Sequence, residues 1–191
     1  WTLSRGLGDV YKRQLLIRAV DHLKTSFPVE YKDARVVVSG SGPLEKFYRN
    51  LIGELGLEDA FEFLGWVTLD EMNAIWDRSH AFVFTSLRET TGMALQEAMM
   101  REVAPIVIDN GGPGEIVTDE SGIKITGENL EELVSHLANA MMTFVQTPAR
   151  GIEMGVKARA RVLKYYSWDA VGSQMLDLYE ALLDGQKPEL K

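Results

Sequence analysis

Two glutamates in "SLRETTGMALQEAM" (Ser86 to Met99), Glu89 and Glu97, stand eight residues apart around a glycine that opens an apolar run. In a chain with 28 acidic residues that spacing alone carries little. Their placement carries more. "AFVFTS" reads as a buried strand and "GMALQEAMM" as a helix, so the pair brackets a strand-to-helix junction. The first turn of a helix presents N–H groups without intrahelical partners, at the positive end of its dipole, and this suits a phosphate. Gly92, Met93 and Ala94 would supply those amides. Glu97, just over one turn in, could reach a ribose joined to the same phosphates, and Glu89 lies near where the group beyond them would sit.

Two further segments follow apolar runs. "SGSGP" (Ser39 to Pro43) has glycines at Gly40 and Gly42 that allow close backbone approach to a ligand, although it is not a full G-x-G-x-x-G. "DNGGPGE" (Asp109 to Glu115) reads as a backbone-rich loop able to line the same cleft. A tight turn with no ligand explains either segment equally well. Elsewhere the residues are bland. His22, His80 and His136 share no metal-site spacing, and His80 reads as a satisfied residue at a strand edge. Met99–Met100 and Met141–Met142 read as core filling. "KARARVLK" reads as a solvated helix face, or as a face turned to a partner domain.

The elements that must hold these residues alternate. The strand-like runs are "ARVVVSG", "FEFLG", "AFVFTS", "PIVID" and "GIKIT"; between them lie the helical patterns "LEKFYRNLIGELG", "LDEMNAIWDRS" and "GMALQEAMM". Such alternation implies βαβ units and a parallel sheet covered on both faces, with ligands at the carboxyl ends of the strands. From Asn129 onward the pattern is helical, with Ser167 as the expected N-cap of the last helix. The expectation is a doubly wound, Rossmann-like α/β domain with a helical C-terminal end. Its usual opening strand is missing, because "WTLSRGLGDVYKR" stands in that place.

Composition narrows the classes. A net charge of −8 argues against a general nucleic-acid binder, whose phosphate-facing surface would be basic. The absence of cysteine excludes disulfides and fits a reducing, cytoplasmic setting. No run reaches the roughly 18 apolar residues of a membrane span, and no signal-peptide pattern opens the chain.

Taken in order, "VVVSGSGP", "FEFLGWV", Glu89-x7-Glu97, "GGPGEIV", "SGIKI" and "YSWDAVGSQMLDLYEALL" resemble the nucleotide-binding half of the retaining GT-B glycosyltransferases of group 1. The resemblance covers about Leu15 to Leu183. It implies a nucleotide-diphosphate sugar as donor, with Glu97 on the ribose hydroxyls and Glu89 contacting or polarising the donor sugar. It also implies that the amides of Gly92, Met93 and Ala94 receive the diphosphate. Gly40, Gly42, Trp66 and Val67 would edge the nucleotide pocket, largely through backbone. No metal and no further cofactor are expected. An acceptor glycan or lipid-linked sugar would be bound by an absent N-terminal half, in a parent that is cytoplasmic or peripheral to the inner membrane face. Two departures stand out: Thr91 replaces an aromatic before the helix-opening glycine, and Glu102 replaces a glycine after the helix. If Glu102 needs a positive φ, the non-glycine costs about 1 kcal/mol.

The opening stretch has another source. A permitted back-translation of "SRGLGDVYKRQ" (Ser4 to Gln14) resembles, codon for codon, a transposase adapter used to prepare sequencing libraries. Residues 1–14 are therefore expected to be non-native, 15–183 the donor-binding domain and 184–191 a frayed tail, with no phosphate role for Arg5, Lys12 or Arg13. Loss of the first strand should leave its neighbours with open edges, or recruit "WTLS" as a substitute. Two other functions fit the same pattern: a nucleotide-sugar epimerase of the same architecture, and a non-catalytic nucleotide-binding domain.

Overall fold

The computed structural model describes residues 7–185. Five strands alternate with helices: β1 (Val36–Ser39), β2 (Phe61–Gly65), β3 (Ala81–Phe84), β4 (Ala104–Ile108) and β5 (Ile123–Ile125). The helices are α1 (Leu7–Ser26), α2 (Glu45–Glu54), α3 (Leu69–Asp77), α4 (Met93–Met100), α5 (Gly111–Ile116), α6 (Leu130–Gln146), α7 (Pro148–Tyr165) and α8 (Trp168–Leu183).

All ladders are parallel, as expected. β1 pairs with β2, and β3–β4–β5 form a second sheet. No ladder among the described residues joins β1 to β3. A cavity of about 620 Å³ lies between them, lined by Val36 and Val37 of β1 and by Ala81, Phe82 and Val83 of β3. The idea that "WTLS" substitutes for the missing first strand falls outside the described residues.

Strand β4 is buried along its whole length, and its alternation assigns its two faces. Ala104, Ile106 and Ile108 pack with Leu15, Ala19 and Leu23 of α1 and with Leu137, Met142 and Phe144 of α6. On the other side Val107 packs with Phe82, Phe84, Leu95, Met99, Ala158 and Val162. A smaller core joins Ile17 and Val20 of α1 to Tyr48 and Ile52 of α2. Both methionine pairs are core, with Met99 and Met142 buried and their neighbours packed alongside.

Several expectations are corrected. Residues Leu7 to Gln14, which show no apolar period, are helical and form the first turns of α1. "GGPG" is helical: it opens α5, where Pro113 sits in the first turn and needs no N–H donor. His80 is exposed at the rim of the large cavity and has no side-chain hydrogen bond among the described residues. Arg161 is not simply solvated, because it donates to the Ile116 and Glu115 carbonyls (2.6 and 3.0 Å) and so closes the C-terminal end of α5. Ser167 does cap α8 as expected, accepting from Ala170 N–H at 3.2 Å.

Candidate functional site

The carboxyl ends of the five strands carry five connections, and the candidate residues lie on or just after the first four. Buried Phe84 and Thr85 end β3, and the chain leaves the sheet as an irregular loop carrying Glu89. Gly92, at φ 57° and ψ 58°, then turns the chain into α4. Leu95 and Gln96 N–H reach back to the Gly92 carbonyl, which leaves the Met93 and Ala94 N–H groups without an acceptor among the described residues. Leu95, Ala98 and Met99 fasten the inner face of α4, so its amino end is held on the core.

Glu89 is half-buried beside that end. Its Cγ lies 3.7 Å from where a Gly92 Cβ would stand, and Thr90 N–H donates to its carboxylate at 3.2 Å. Glu97 lies further along α4, exposed, and its carboxylate has no partner among the described residues. Thr91 is exposed, and its carbonyl accepts from Gln96 Nε2 at 3.0 Å.

The β1–α2 and β2–α3 connections are tied together, since Gly40 N–H donates to the Gly65 carbonyl at 2.6 Å. This brings Gly40 and Gly42 beside Trp66 and Val67. Trp66 is 82% exposed, so its ring offers an uncovered wall. Thr68 caps α3 reciprocally with Glu71, which fixes where the chain leaves that wall. The Gly40–Val67 group and the Glu89–Glu97 group thus belong to different sheets, and no hydrogen bond among the described residues links them.

Two features escaped the sequence reading. A second cavity of about 270 Å³ lies beyond the end of β3, lined by Lys12, Thr85, Leu87, Ile108, Glu128 and Asn129. Its walls come from separate segments spread between Tyr11 and Leu133, and only the polar Thr85 following an apolar strand hinted at it. The second is that the β4–α5 turn, itself expected near the cleft, bonds to the Glu89 loop through Asn110 and Gly112. Among the basic residues left without a phosphate role, Arg13 stacks over the Tyr48 ring at 5.4 Å.

Parallel strands, crossover helices and an open helix start at the carboxyl ends define a doubly wound α/β domain, a class of fold whose ligands bind at the strand tips. The family model described as glycosyl transferases group 1 matches residues 7–148, and the chain belongs to that family. It is 23% identical over 172 residues to the uncharacterized glycosyltransferase MJ1607 of Methanocaldococcus jannaschii, covering 87% of this chain and 43% of the relative. Among solved structures, TarM of S. aureus superposes with a TM-score of 0.74 at 22% identity, covering 88% of this chain and 32% of that one. Anabaena Alr3699/HepE in complex with UDP-glucose gives a TM-score of 0.70 at 19% identity, covering 90% of this chain and 46% of that one. The chain thus spans less than half the length of each of these proteins.

Proposed function

We propose that the chain is the donor-binding half of an enzyme that transfers a glycosyl group from a nucleotide-diphosphate sugar to an acceptor, with retention, in glycan or polysaccharide biosynthesis. The observation that carries this reading is the amino end of α4. There the Met93 and Ala94 N–H groups, without an acceptor among the described residues, open the helix just after Gly92, against which the Glu89 side chain lies, in a member of the group 1 family.

In the proposed reaction the bond between the anomeric carbon and the leaving phosphate oxygen breaks, and its electron pair passes to the diphosphate. An acceptor hydroxyl oxygen bonds that carbon, and the hydroxyl's proton passes to the released diphosphate. The α4 amides are preorganised for that growing charge, so the chemistry does not depend on a divalent cation. Glu97 holds the ribose hydroxyls, and Glu89 meets the sugar as it becomes cationic. Gly40, Gly42, Trp66 and Val67 edge the base. The acceptor, a glycan or lipid-linked sugar, binds to parts of the parent outside this sequence. UDP-glucose bound to the HepE neighbour supports a nucleotide-sugar ligand for the fold.

The test is titration of the chain with UDP-, GDP- and ADP-sugars, followed by amide chemical shifts. Binding should move the Gly92, Met93 and Ala94 signals and persist in EDTA, and Glu97→Ala should weaken it about tenfold, the loss of one charged-group hydrogen bond. Binding that leaves those amides unmoved, or that Glu97→Ala does not touch, would remove the assignment.

A further inference from the structure

We infer that Asn110, Gly111 and Gly112 are positioning residues that clamp the backbone of Glu89 from the neighbouring strand–helix connection, which sets how its carboxylate meets the donor sugar. The inference rests on the reading of Glu89 as the sugar-facing carboxylate. The segment from Leu87 to Thr91 has no regular structure, so its own backbone cannot hold a side chain to a fixed height. Its internal support is slight: Thr90 N–H donates to the Glu89 carboxylate at 3.2 Å and Ser86 Oγ to the Arg88 carbonyl at 3.4 Å.

The firm bonds come from across the sheet. Asn110 Nδ2 donates to the Leu87 carbonyl at 2.9 Å, and Gly112 N–H donates to the Glu89 carbonyl at 3.2 Å. These two bonds bracket Leu87 to Glu89. The fit is also steric. A Cβ on Gly111, already at φ 56°, would stand 2.9 Å from the Glu89 carbonyl oxygen, and one on Gly112 would overlap the Thr90 carbonyl. The turn therefore lies flat against residues 89–90 because it carries no side chains there.

The clamp is itself anchored. Asp109 N–H donates to the Ile125 carbonyl at 2.8 Å, and the Asp109 carboxylate pairs with Lys124 at 3.4 Å. Glu89 is consequently held on two sides: its main chain by the β4–α5 turn, its side chain against the start of α4. A contact chain of this kind transmits placement from the β5 end of the sheet to one carboxylate.

The test compares the tightest-binding nucleotide sugar from the UDP, GDP and ADP series with its own nucleoside diphosphate, using Asn110→Ala, Gly112→Ala and Glu89→Gln variants of the chain. Asn110→Ala should lower affinity for the nucleotide sugar about five- to tenfold, as expected for one lost hydrogen bond at a positioned group, and leave the nucleoside diphosphate within about twofold. Glu89→Gln should show the same selective loss. Gly112→Ala should be more severe, and if it does not fold, Asn110→Ala still decides the matter. A selective loss for Glu89→Gln without one for Asn110→Ala would overturn the clamp and leave the Glu89 role standing. No selective loss in Glu89→Gln, or no binding of any nucleotide sugar, would overturn the Glu89 reading and the clamp with it. Equal losses for both ligands in Asn110→Ala would mark it as merely structural and end the proposal.

Discussion

Glu102 shows how one residue can work against the fold around it. It is the one non-glycine at positive φ among the described residues, at 59°, in the turn between α4 and β4. The left-handed conformation costs a side-chain-bearing residue about 1 kcal/mol. Its carboxylate recovers part of that through a 2.8 Å ion pair with Arg159, but both partners are nearly half exposed. Exposed pairs contribute about 0.2–1 kcal/mol and are screened by salt. Strain wins narrowly. Glu102→Gly should therefore raise stability by roughly 0.5 kcal/mol in low salt, and by more once salt has screened the pair in the parent sequence. Urea unfolding midpoints at low and at ~0.5 M salt check this. A destabilised glycine variant in high salt would show that the turn carries no strain. The sequence alone raised the question, since a helix followed by a turn usually closes on glycine, but only φ could answer it.

Helix α3 matters to the site because it sets the exit from Trp66 and Val67. Its start is a reciprocal cap: Glu71 N–H donates to Thr68 Oγ1 at 3.3 Å, and Thr68 N–H donates to the Glu71 carboxylate at 2.6 Å. That backbone donor, joined by the Thr68 hydroxyl, holds the Glu71 carboxyl below its ordinary value of 4.5. A depressed folded value means the stabilisation is complete above that ordinary value and fades as pH falls through the lowered one. Glu71→Gln should accordingly be less stable than the parent at pH 7, with the gap closing in acid below about pH 4.5. Thr68→Ala should cost about 1 kcal/mol near neutrality. Unfolding midpoints from pH 7 to pH 3 test both, and a gap constant across that range would deny the carboxylate its role. At this scale the sequence was legible wherever a signal is local: apolar runs for strands, Ser167 and the glycine before α4 for helix starts. It misled where distant partners decide. The helical "GGPG" of α5 reads as a turn because glycine and proline dominate it; its order comes from the Glu89 carbonyl at one end and Arg161 at the other. The first turns of α1 lack an apolar period, so nothing local announced them.

Across the whole molecule the unusual feature is a sheet in two pieces. β1 and β2 carry α2 and a small core, whereas β3, β4 and β5 carry α4, α6 and α7 and most of the buried residues. Two-stranded sheets are marginal unless another element covers them. Here α1 straddles the division, giving Leu15, Ala19 and Leu23 to the larger core and Ile17 and Val20 to the smaller. Cooperativity between the pieces must pass largely through that helix and through Tyr31 and Met141, which also touch both cores, because no described ladder joins β1 to β3 and about 620 Å³ of cavity lies between them. Helix α8 is still less committed: none of its residues is buried, and Trp168, Leu176, Tyr179 and Leu182 face outward. Opening should therefore be graded, since segments with few buried contacts open at lower free energy. Native-state hydrogen exchange followed by mass spectrometry should find α8 exchanging first, then β1–α2–β2, with β4 last. The β1 and β2 amides should open at least tenfold more readily than those of β4, a gap of about 1.4 kcal/mol. An apolar strand in the cavity would join the pieces through two ladders, so a longer form of the protein that supplies one should bring β1 and β4 to the same protection. Equal protection of β1, β2 and β4 in the chain as it stands would mean that α1, with Tyr31 and Met141, already couples the two pieces into one cooperative unit.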